Sequence, residues 1–123
     1  MKVIQTTSAP AAIGPYSQAY ISGNFIFTSG QIPLSVENGE VVGITIQEQT
    51  EQVIKNLKAV LEAGGSSLEQ VVKTTCFLSD MANFAPFNEI YGRHFTGKPG
   101  RSCVAVRELP KKVLVEIEAI AER

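Results

Sequence analysis

The sequence predicts an α+β domain in which two helices cover one face of a mainly antiparallel mixed sheet. Three observations lead to this class. Short β-rich runs flank a turn pair at Gly23-Asn24, and a helical period of apolar residues begins at Ile46. The chain then ends in two β-rich runs that follow a second helical segment. The predicted order of elements is ββ(β)αβαββ, in which the bracketed strand is short.

The first predicted hairpin lies in "AYISGNFIFTSG". Ala19–Ile21 and Phe25–Thr28 are rich in β-branched and aromatic residues, and they flank the Gly23-Asn24 pair, which is typical of tight turns. A second turn is expected at Asn38-Gly39. Val41–Val42 follows that turn and is expected to form the short third strand.

A helix is predicted over Ile46–Ala63, because its apolar residues recur mostly at spacings of three and four. The apolar stripe consists of Ile46, Val53, Ile54, Leu57, Val60 and Leu61. Thr45 followed by Glu48 forms a capping box, in which each side chain bonds a free backbone N–H group of the first turn. Gly64-Gly65 supplies the C-terminal stop of the helix.

The next elements are a buried strand and a second helix. Val71–Leu78 is rich in β-branched and apolar residues and is predicted to be a largely buried strand. The second helix is expected to begin near Asn83, with Pro86 in its first turn, where proline is tolerated. Aromatic residues spaced three or four apart are expected to form its core face: Phe84, Phe87, Tyr91 and Phe95.

The last two strands, Ser102–Arg107 and Val113–Ala121, are predicted to form a terminal hairpin around Pro110–Lys112. Neither side of the final strand is simply polar. One side carries Val113, Val115, Ile117, Ala119 and Ala121, and the other carries Leu114, Glu116, Glu118 and Ile120. A strand with apolar residues on both faces needs to be covered on both, so we expect one face of the sheet to meet another subunit.

Composition sets the class of protein and excludes several functions. The 123 residues are expected to form a single domain, 1–123, with a core large enough to fold without disulfides or metals. The formal net charge of −1 gives no field that would attract nucleic acid or an anionic membrane. The sequence has neither an apolar run of about 18 residues nor a leader-like N-terminal segment, so we expect a cytoplasmic protein.

The cysteine and histidine content predicts neither a disulfide nor a metal site. Cys76 and Cys103 are too far apart in sequence for a CxxC redox motif. Two cysteines and the single histidine, His94, make a poor set of metal ligands. We therefore expect two reduced thiols, and a histidine that lies at the surface or at a helix end.

The stretch "PGRSCVAV" begins a strand with an arginine and a cysteine that share one face. Arg101 and Cys103 are two residues apart, and side chains alternate along a strand. The arginine fork fits a carboxylate bidentately, which indicates an anchor for a small acid. Glu116 lies in a strand expected to be buried, where a carboxyl group either needs a partner or has a raised pKa. Either state suits a general acid or base.

The sequence leaves the relation between these groups open. An even-length loop between the last two strands would place Arg101, Cys103 and Glu116 on one face, and an odd-length loop would place them on opposite faces. A structural interpretation is also available, in which Arg101 forms a cross-strand ion pair with Glu116 or Glu118. In that interpretation Cys103 is a small buried apolar residue.

Two loops near the first hairpin offer further polar groups. In "IGPYSQA", Tyr16 follows Gly14-Pro15 and has a hydroxyl group able to donate to an anion. In "TSGQIP", Gly30 lets backbone N–H groups approach a ligand closely at the end of a strand. Each loop also has a structural explanation, a half-buried aromatic residue in the first and an ordinary strand-ending turn in the second.

The sequence contains no phosphate-binding loop, GxSxG motif, zinc-ligand pattern or RNP-type aromatic motif. One feature favours RNA, a local cluster of basic residues towards the C-terminus: Lys98, Arg101, Arg107, Lys111 and Lys112. A solvated surface explains these charges equally well.

Six motifs occur in order along nearly the whole chain: "GPYSQA", "SGQIP", "LEAGGSSLEQVVKTTCFLSDM", "FNEIYGRHF", "PGRSCVAV" and "LPKKVLVEIEAIA". Together they resemble the RidA (YjgF) family of imine and enamine deaminases. The resemblance implies a chorismate-mutase-like fold and a homotrimer with sites in the clefts between subunits. It also implies hydrolysis of reactive 2-imino acids to 2-keto acids and ammonia. Such imines derive from enamines, for example 2-aminoacrylate and 2-aminocrotonate, which pyridoxal-phosphate dehydratases release.

The resemblance also implies the site residues. Arg101, in the "RSC" motif, would bind the substrate carboxylate, and this arginine separates active deaminases from inactive relatives. Glu116 would be the base that acts on water or through it. The remaining substrate-binding positions are Tyr16, Ser29, Gly30, Asn88 and Cys103. No metal or organic cofactor is implied. The departures from the family pattern, "SVENGE" and Gly100, lie outside these groups.

Three functions therefore follow as hypotheses. The first is a 2-iminobutanoate/2-iminopropanoate deaminase, whose partners are small imino and keto acids rather than nucleic acid or membrane. The second is a module that binds 2-keto acids without turnover, which calorimetry together with an unchanged rate of imine decay would indicate. The third is a ribonuclease or translation inhibitor, a function of some relatives, which salt-dependent RNA binding would support.

Overall fold

Six strands form one sheet, and two helices lie on one of its faces. The computed structural model describes residues 2–123. In chain order the elements are β1 (Lys2–Ile4), β2 (Ala19–Ser22), β3 (Phe25–Thr28), α1 (Ile46–Ala63), β4 (Val71–Leu78), α2 (Phe84–His94), β5 (Gly100–Ala105) and β6 (Val115–Glu122). The predicted α+β class is confirmed.

The strand order across the sheet is β1-β2-β3-β6-β4-β5. All neighbouring pairs are antiparallel except β4 and β5, which run parallel. The prediction of a mainly antiparallel mixed sheet is thus confirmed. The first hairpin is confirmed too, since β2 and β3 pair from Ala19↔Thr28 to Ser22↔Phe25.

The predicted hairpin between the last two strands is wrong. β4 lies between β5 and β6, and β5 is an edge strand of the described sheet that pairs with β4. The cause is α2, which crosses over from the end of β4 and returns the chain parallel to it, as helical crossovers do. Residues 106–114 then carry the chain past β4 to β6. Strands that are neighbours in sequence are therefore not neighbours in the sheet.

Helix α1 forms with the predicted bounds and ends, as predicted, at Gly64. The Glu48 N–H group donates to the Thr45 hydroxyl oxygen at 3.1 Å, and the Glu48 carboxylate accepts from the Thr45 N–H group, which completes the capping box. Val53 and Leu57 in the apolar stripe are fully inaccessible to solvent. Burial of each such side chain contributes roughly 2 kcal/mol, so packing on the sheet rather than helix propensity stabilises α1.

Helix α2 packs through the predicted aromatic row. Phe87, Tyr91 and Phe95 are buried, and the Tyr91 ring centroid lies 5.6 Å from that of Phe87 and 4.4 Å from that of Phe95. The Tyr91 hydroxyl shares a hydrogen bond of 2.6 Å with the hydroxyl of Thr74, which fixes α2 over β4. Within residues 2–123, neither helix combines the length and the apolar character that crossing a membrane requires.

The sheet face away from the helices, termed the open face, exposes several large hydrophobic side chains. Along β6, Val115 and Ile117 are buried under the helices, whereas Glu116 and Ile120 point to the open face. Strand registers place large hydrophobic side chains on this face: Val3, Tyr20, Phe25, Phe27 and Val104. Each of these five is between 39% and 47% exposed. Exposure of several large hydrophobic side chains on one sheet face is typical of an interface between proteins.

Two short elements differ from the sequence prediction. Strand β1 was not predicted, because three residues carry no measurable period; the strand exists through its pairing with β2, which buries Ile4. The third strand expected at Val41–Val42 does not form, and Val41 makes only an isolated bridge to Leu34. Neither difference alters the strands that carry the predicted site residues.

Candidate functional site

The predicted site residues fall on opposite faces of the sheet. Arg101 pairs in register with Thr74, which is buried under the helices, whereas Glu116 pairs with Phe77 on the open face. Their strands are also two positions apart in the sheet, a distance of about 10 Å. Within residues 2–123 no ion pair joins Arg101 to Glu116 or Glu118, so the cross-strand ion-pair interpretation is wrong. One chain does not bring Arg101 and Glu116 onto one small substrate.

The first group, termed the arginine site, consists of Arg101, Asn88, Tyr91 and Phe84. The Arg101 Nη1 atom donates to the Asn88 Oδ1 atom of α2 at 2.7 Å. The guanidinium carbon lies 4.8 Å from the Tyr91 ring centroid and 5.5 Å from that of Phe84. Arg101 is exposed and forms no salt bridge with any carboxylate of residues 2–123. Its charge is therefore held in place without being neutralised.

Cys103 lies two residues beyond Arg101, half-buried and packed against the core. Burial raises the pKa of the Cys103 thiol, although the Arg101 charge acts in the opposite direction. Burial also raises the pKa of Cys76, its neighbour in the parallel register, to about 12. Both cysteines are free, as predicted. At neutral pH both stay protonated, so neither is an activated nucleophile.

The second group, termed the glutamate cleft, lies at the end of β3 beside β6. This cleft of about 370 Å³ is lined by four of the predicted residues: Tyr16, Ser29, Gly30 and Glu116. Glu116 is half-buried, and burial, with a smaller effect of the Glu118 charge, raises the pKa of its carboxyl group. A carboxyl group with a raised pKa is suited to accept and return a proton near neutral pH.

Backbone hydrogen bonds fix the segment that approaches Glu116. The Ser29 N–H group donates to the Gln18 carbonyl oxygen at 2.9 Å. Gln31 and Ile117 exchange two backbone hydrogen bonds of 2.8 and 3.1 Å. Gly30 lies between these two anchors, directly beneath the Glu116 carboxyl group, where a side chain would collide with it. The glycine is therefore required for this close approach, which sequence reasoning gave only as one of two interpretations.

His94 and potential metal ligands lie apart from both groups. His94 ends α2, and its Nε2 atom hydrogen-bonds the Glu51 carboxylate of α1 at 2.8 Å, as a surface contact between the helices. The prediction of a surface residue at a helix end is confirmed. Across the described residues, no group of three or more His, Cys, Asp or Glu side chains is arranged to hold a metal ion.

Sequence reasoning missed the contribution of Tyr91 and Phe84 to the arginine site. It assigned both rings only to the core face of α2. One signal was present, since Asn88 and Tyr91 are three residues apart and must share a helix face. The strand that this face meets depends on the sheet order, and that order places Arg101 of the edge strand against it.

Comparisons with known proteins give a consistent fold and several functional descriptions. The family model described as endoribonuclease L-PSP matches residues 6–123. A crystal structure of a putative endoribonuclease from Thermotoga maritima is 54% identical and has a TM-score of 0.97, with 100% of this chain and 98% of that chain covered. The strand and helix arrangement described above is thus shared over the full length.

Two further relatives are described in terms of small molecules. Reactive Intermediate Deaminase A, chloroplastic, from Arabidopsis thaliana is 46% identical, with 98% of this chain and 65% of that protein covered. E. coli TdcF was solved with bound serine; it is 44% identical with a TM-score of 0.95, and 100% of this chain and 99% of that chain are covered. Proteins similar to this chain are therefore described both as ribonucleases and as a deaminase.

Proposed function

Because this chain belongs to the RidA (YjgF) family, whose family model is described as endoribonuclease L-PSP, we propose that it is a deaminase of small 2-imino acids. The observation that carries the proposal is the Arg101 guanidinium, which is oriented, exposed and unpaired with any carboxylate of residues 2–123. Two relatives support it: one is named a reactive intermediate deaminase, and the other binds serine, a small acid with one carboxylate. The proposed substrates are 2-iminobutanoate and 2-iminopropanoate, and the proposed location is the cytoplasm.

The reaction needs a held carboxylate, a water molecule and a proton acceptor. Arg101 binds the carboxylate and so orients the C=N carbon. The oxygen of a water molecule bonds to that carbon, the electron pair of the C=N π bond moves to the nitrogen, and Glu116 takes the water proton and passes it to that nitrogen, which gives a carbinolamine. In the collapse, Glu116 takes the hydroxyl proton and transfers it to the same nitrogen, so that the C–N bond breaks, ammonia leaves and a C=O bond forms. The net reaction converts one imino acid and one water into one keto acid and one ammonia.

The complete site is composed of two chains in the homotrimer expected of the family. Arg101, Asn88 and Cys103 come from one subunit, and the glutamate cleft comes from the next. Two observations support this arrangement: the two groups lie on opposite faces of the sheet of one chain, and the open face exposes five large hydrophobic side chains. Tyr16 and the Gly30 N–H group would then bind the substrate from the side of the partner subunit's Glu116.

Activity is tested by generating the imine with a serine or threonine dehydratase and following its decay with and without this protein. The proposal expects faster release of the keto acid. If the protein binds the keto acid but does not accelerate the decay, the chain is a binding module rather than an enzyme. Cleavage of RNA without effect on the imine would favour the ribonuclease description of its relatives.

Subunit complementation tests the two-chain site. Arg101→Ala and Glu116→Gln are each expected to be inactive as pure proteins. After unfolding and refolding as an equimolar mixture, a random assortment of subunits would pair an intact Arg101 with an intact Glu116 in about a quarter of the sites. We therefore expect about a quarter of the wild-type activity to return. A mixture as inactive as its components would show that both groups act within one chain.

Gly30→Ala is expected to lower kcat by about 100-fold, because the added methyl group displaces the Glu116 carboxyl group, and misplacement by about 1 Å can have this effect. The fold should persist, since the atoms displaced belong to the flexible end of a side chain. The measurements are steady-state kinetics and thermal unfolding. Gly97→Ala is the matched control, because its new methyl group would meet only a backbone oxygen at 3.6 Å. Equal activities of the two variants would contradict the prediction.

A further inference from the structure

The Arg101 side chain is held by three neutral groups rather than by a counter-ion. Within residues 2–123, the guanidinium group donates one hydrogen bond, to the amide oxygen of Asn88 at 2.7 Å, and the rings of Tyr91 and Phe84 lie 4.8 and 5.5 Å from its central carbon. These three residues are termed the neutral cradle. Each ring face carries partial negative charge and attracts the cation, and the amide dipole does the same, yet none carries a formal charge.

Tyr91 is itself fixed on three sides. Its hydroxyl group is hydrogen-bonded at 2.6 Å to the hydroxyl of Thr74, a residue fully inaccessible to solvent. Its ring stacks on Phe95 at 4.4 Å and contacts Phe87 at 5.6 Å. The tyrosine ring therefore cannot turn away from the arginine without breaking a buried hydrogen bond and a packed aromatic cluster. It provides a rigid surface on which the flexible arginine side chain can rest.

The cradle leaves the arginine able to bind an anion. A guanidinium group has five N–H donors, and the structure gives one of its nitrogens a partner within residues 2–123. A carboxylate at the position of Asn88 would neutralise the charge and occupy the fork that a substrate needs. By contrast, the neutral cradle removes conformational freedom from Arg101 before the ligand arrives, which strengthens binding.

We propose, as an extension of the deaminase function proposed above, that Tyr91 is a positioning residue which, with Asn88, fixes the Arg101 fork without neutralising it and thereby sets the affinity for monocarboxylate ligands. Arg101 contacts the carboxylate in the ground state and in the transition state alike. The cradle should therefore act on KM and on the dissociation constant of a bound acid, and only weakly on kcat.

The first test removes the ring face. Tyr91→Leu is expected to raise KM for the imino acid, and the dissociation constant of 2-oxobutanoate in calorimetry, by about 5- to 30-fold, with kcat changed less than about 3-fold. Tyr91→Phe keeps the ring and its packing on Phe87 and Phe95 but loses the bond to Thr74, so it should restore most of the affinity. Ile90→Ala is the control for helix packing, since it truncates a buried side chain of α2 that belongs neither to the neutral cradle nor to the aromatic pairs around Tyr91.

Two outcomes would overturn the role of Tyr91. One is wild-type affinity in folded Tyr91→Leu, and the other is an equal loss of affinity in Ile90→Ala, which would show a general effect of core packing. If Tyr91→Leu does not fold, Phe84→Leu takes its place, because Phe84 is only partly buried and also faces the guanidinium. Its expected effect on the dissociation constant is about 2- to 5-fold, and no effect would count against the cradle.

The second test adds a charge. In Asn88→Asp, the new aspartate has the size of asparagine but places a carboxylate against Arg101. It should raise the dissociation constant of 2-oxobutanoate by about 10-fold or more over wild type, and by more than Asn88→Ala does. Equal or tighter binding by Asn88→Asp would refute the need for neutrality. Imine turnover by the wild-type protein tests the deaminase function, and binding of 2-oxobutanoate tests the cradle. Wild-type protein that binds 2-oxobutanoate without hydrolysing the imine would refute the deaminase alone, and absence of binding would refute the cradle.

Discussion

Arg101→Ala is expected to lower kcat/KM for imine hydrolysis by about 100- to 1000-fold while the protein remains folded and associated. The variant loses the only group of the arginine site that can bind a carboxylate as an ion pair, and the substrate then loses both affinity and orientation. Because Arg101 is exposed on an edge strand, its removal leaves the core intact. The dehydratase-coupled assay measures the kinetics, and sedimentation measures the assembly.

Two variants control for charge and for surface position. Arg101→Lys keeps a cation but lacks the planar fork, so we expect an activity between those of wild type and Arg101→Ala. Arg93→Ala removes another exposed arginine, which forms a surface ion pair with Glu89 of the same helix at 2.7 Å, and should retain activity. Wild-type turnover in Arg101→Ala would remove the basis of the proposed function.

Glu116→Gln is expected to lower kcat by about 100- to 10,000-fold with little change in KM, because the amide has the shape of the carboxyl group but cannot accept the water proton. Glu118→Gln is the matched control, two residues along the same strand and on the same face. Steady-state kinetics at neutral pH distinguishes the two. Comparable losses in both variants would mean that the effect comes from the charge of the open face rather than from proton transfer.

The pH profile provides a second measurement on the same residue. Burial raises the pKa of Glu116 above its ordinary value of 4.5, and the Glu118 charge adds to this. The base must be ionised to act, so the acid limb of kcat should lie at a higher pH than an unperturbed glutamate would give. Glu118→Gln removes the neighbouring negative charge and should move that limb to lower pH. A limb that does not move would assign the titration to another group.

Catalysis requires ionised Glu116, whereas the stability of the fold should be greater when Glu116 is protonated. A carboxyl group whose pKa is raised by folding stabilises the folded state below its unfolded pKa, and this contribution is lost as the pH rises through the folded pKa. The difference in free energy of unfolding between Glu116→Gln and wild type should therefore increase from about pH 4 to about pH 7. Denaturant unfolding across this range measures it, and a constant difference would contradict the raised pKa.

Local patterns predicted most of the fold because they are set by neighbours in sequence. The stripe of α1, its Thr45–Glu48 cap and the aromatic row of α2 all depend on residues within one or two helical turns. The order of the strands is not set by neighbours in sequence. It depends on the crossover through α2, which places β4 between the last two strands, and the local alternation of side chains does not indicate this placement.

The candidate site was predictable as a set of residues but not as an arrangement. Residue chemistry indicated Tyr16, Gly30, Arg101 and Glu116, and the motif resemblance added Asn88. The sequence left two faces possible for Arg101 and Glu116, since only the pairing of each strand with β4 decides them. The neutral cradle could not be predicted for the same reason, because the contact between a ring on a helix and an arginine on an edge strand can be inferred only when the strand order and register are known.

The protonated state of the two cysteines bears on the durability of the protein. An imine is an electrophile, and a thiolate beside Arg101 would compete with water for the same carbon and trap the enzyme as a covalent adduct. The pKa of Cys103 is raised by burial, and that of Cys76 is raised to about 12, so the thiolate form of each is scarce at neutral pH. For the deaminase proposed above, this scarcity means that the imine carbon reacts with water rather than with either thiol.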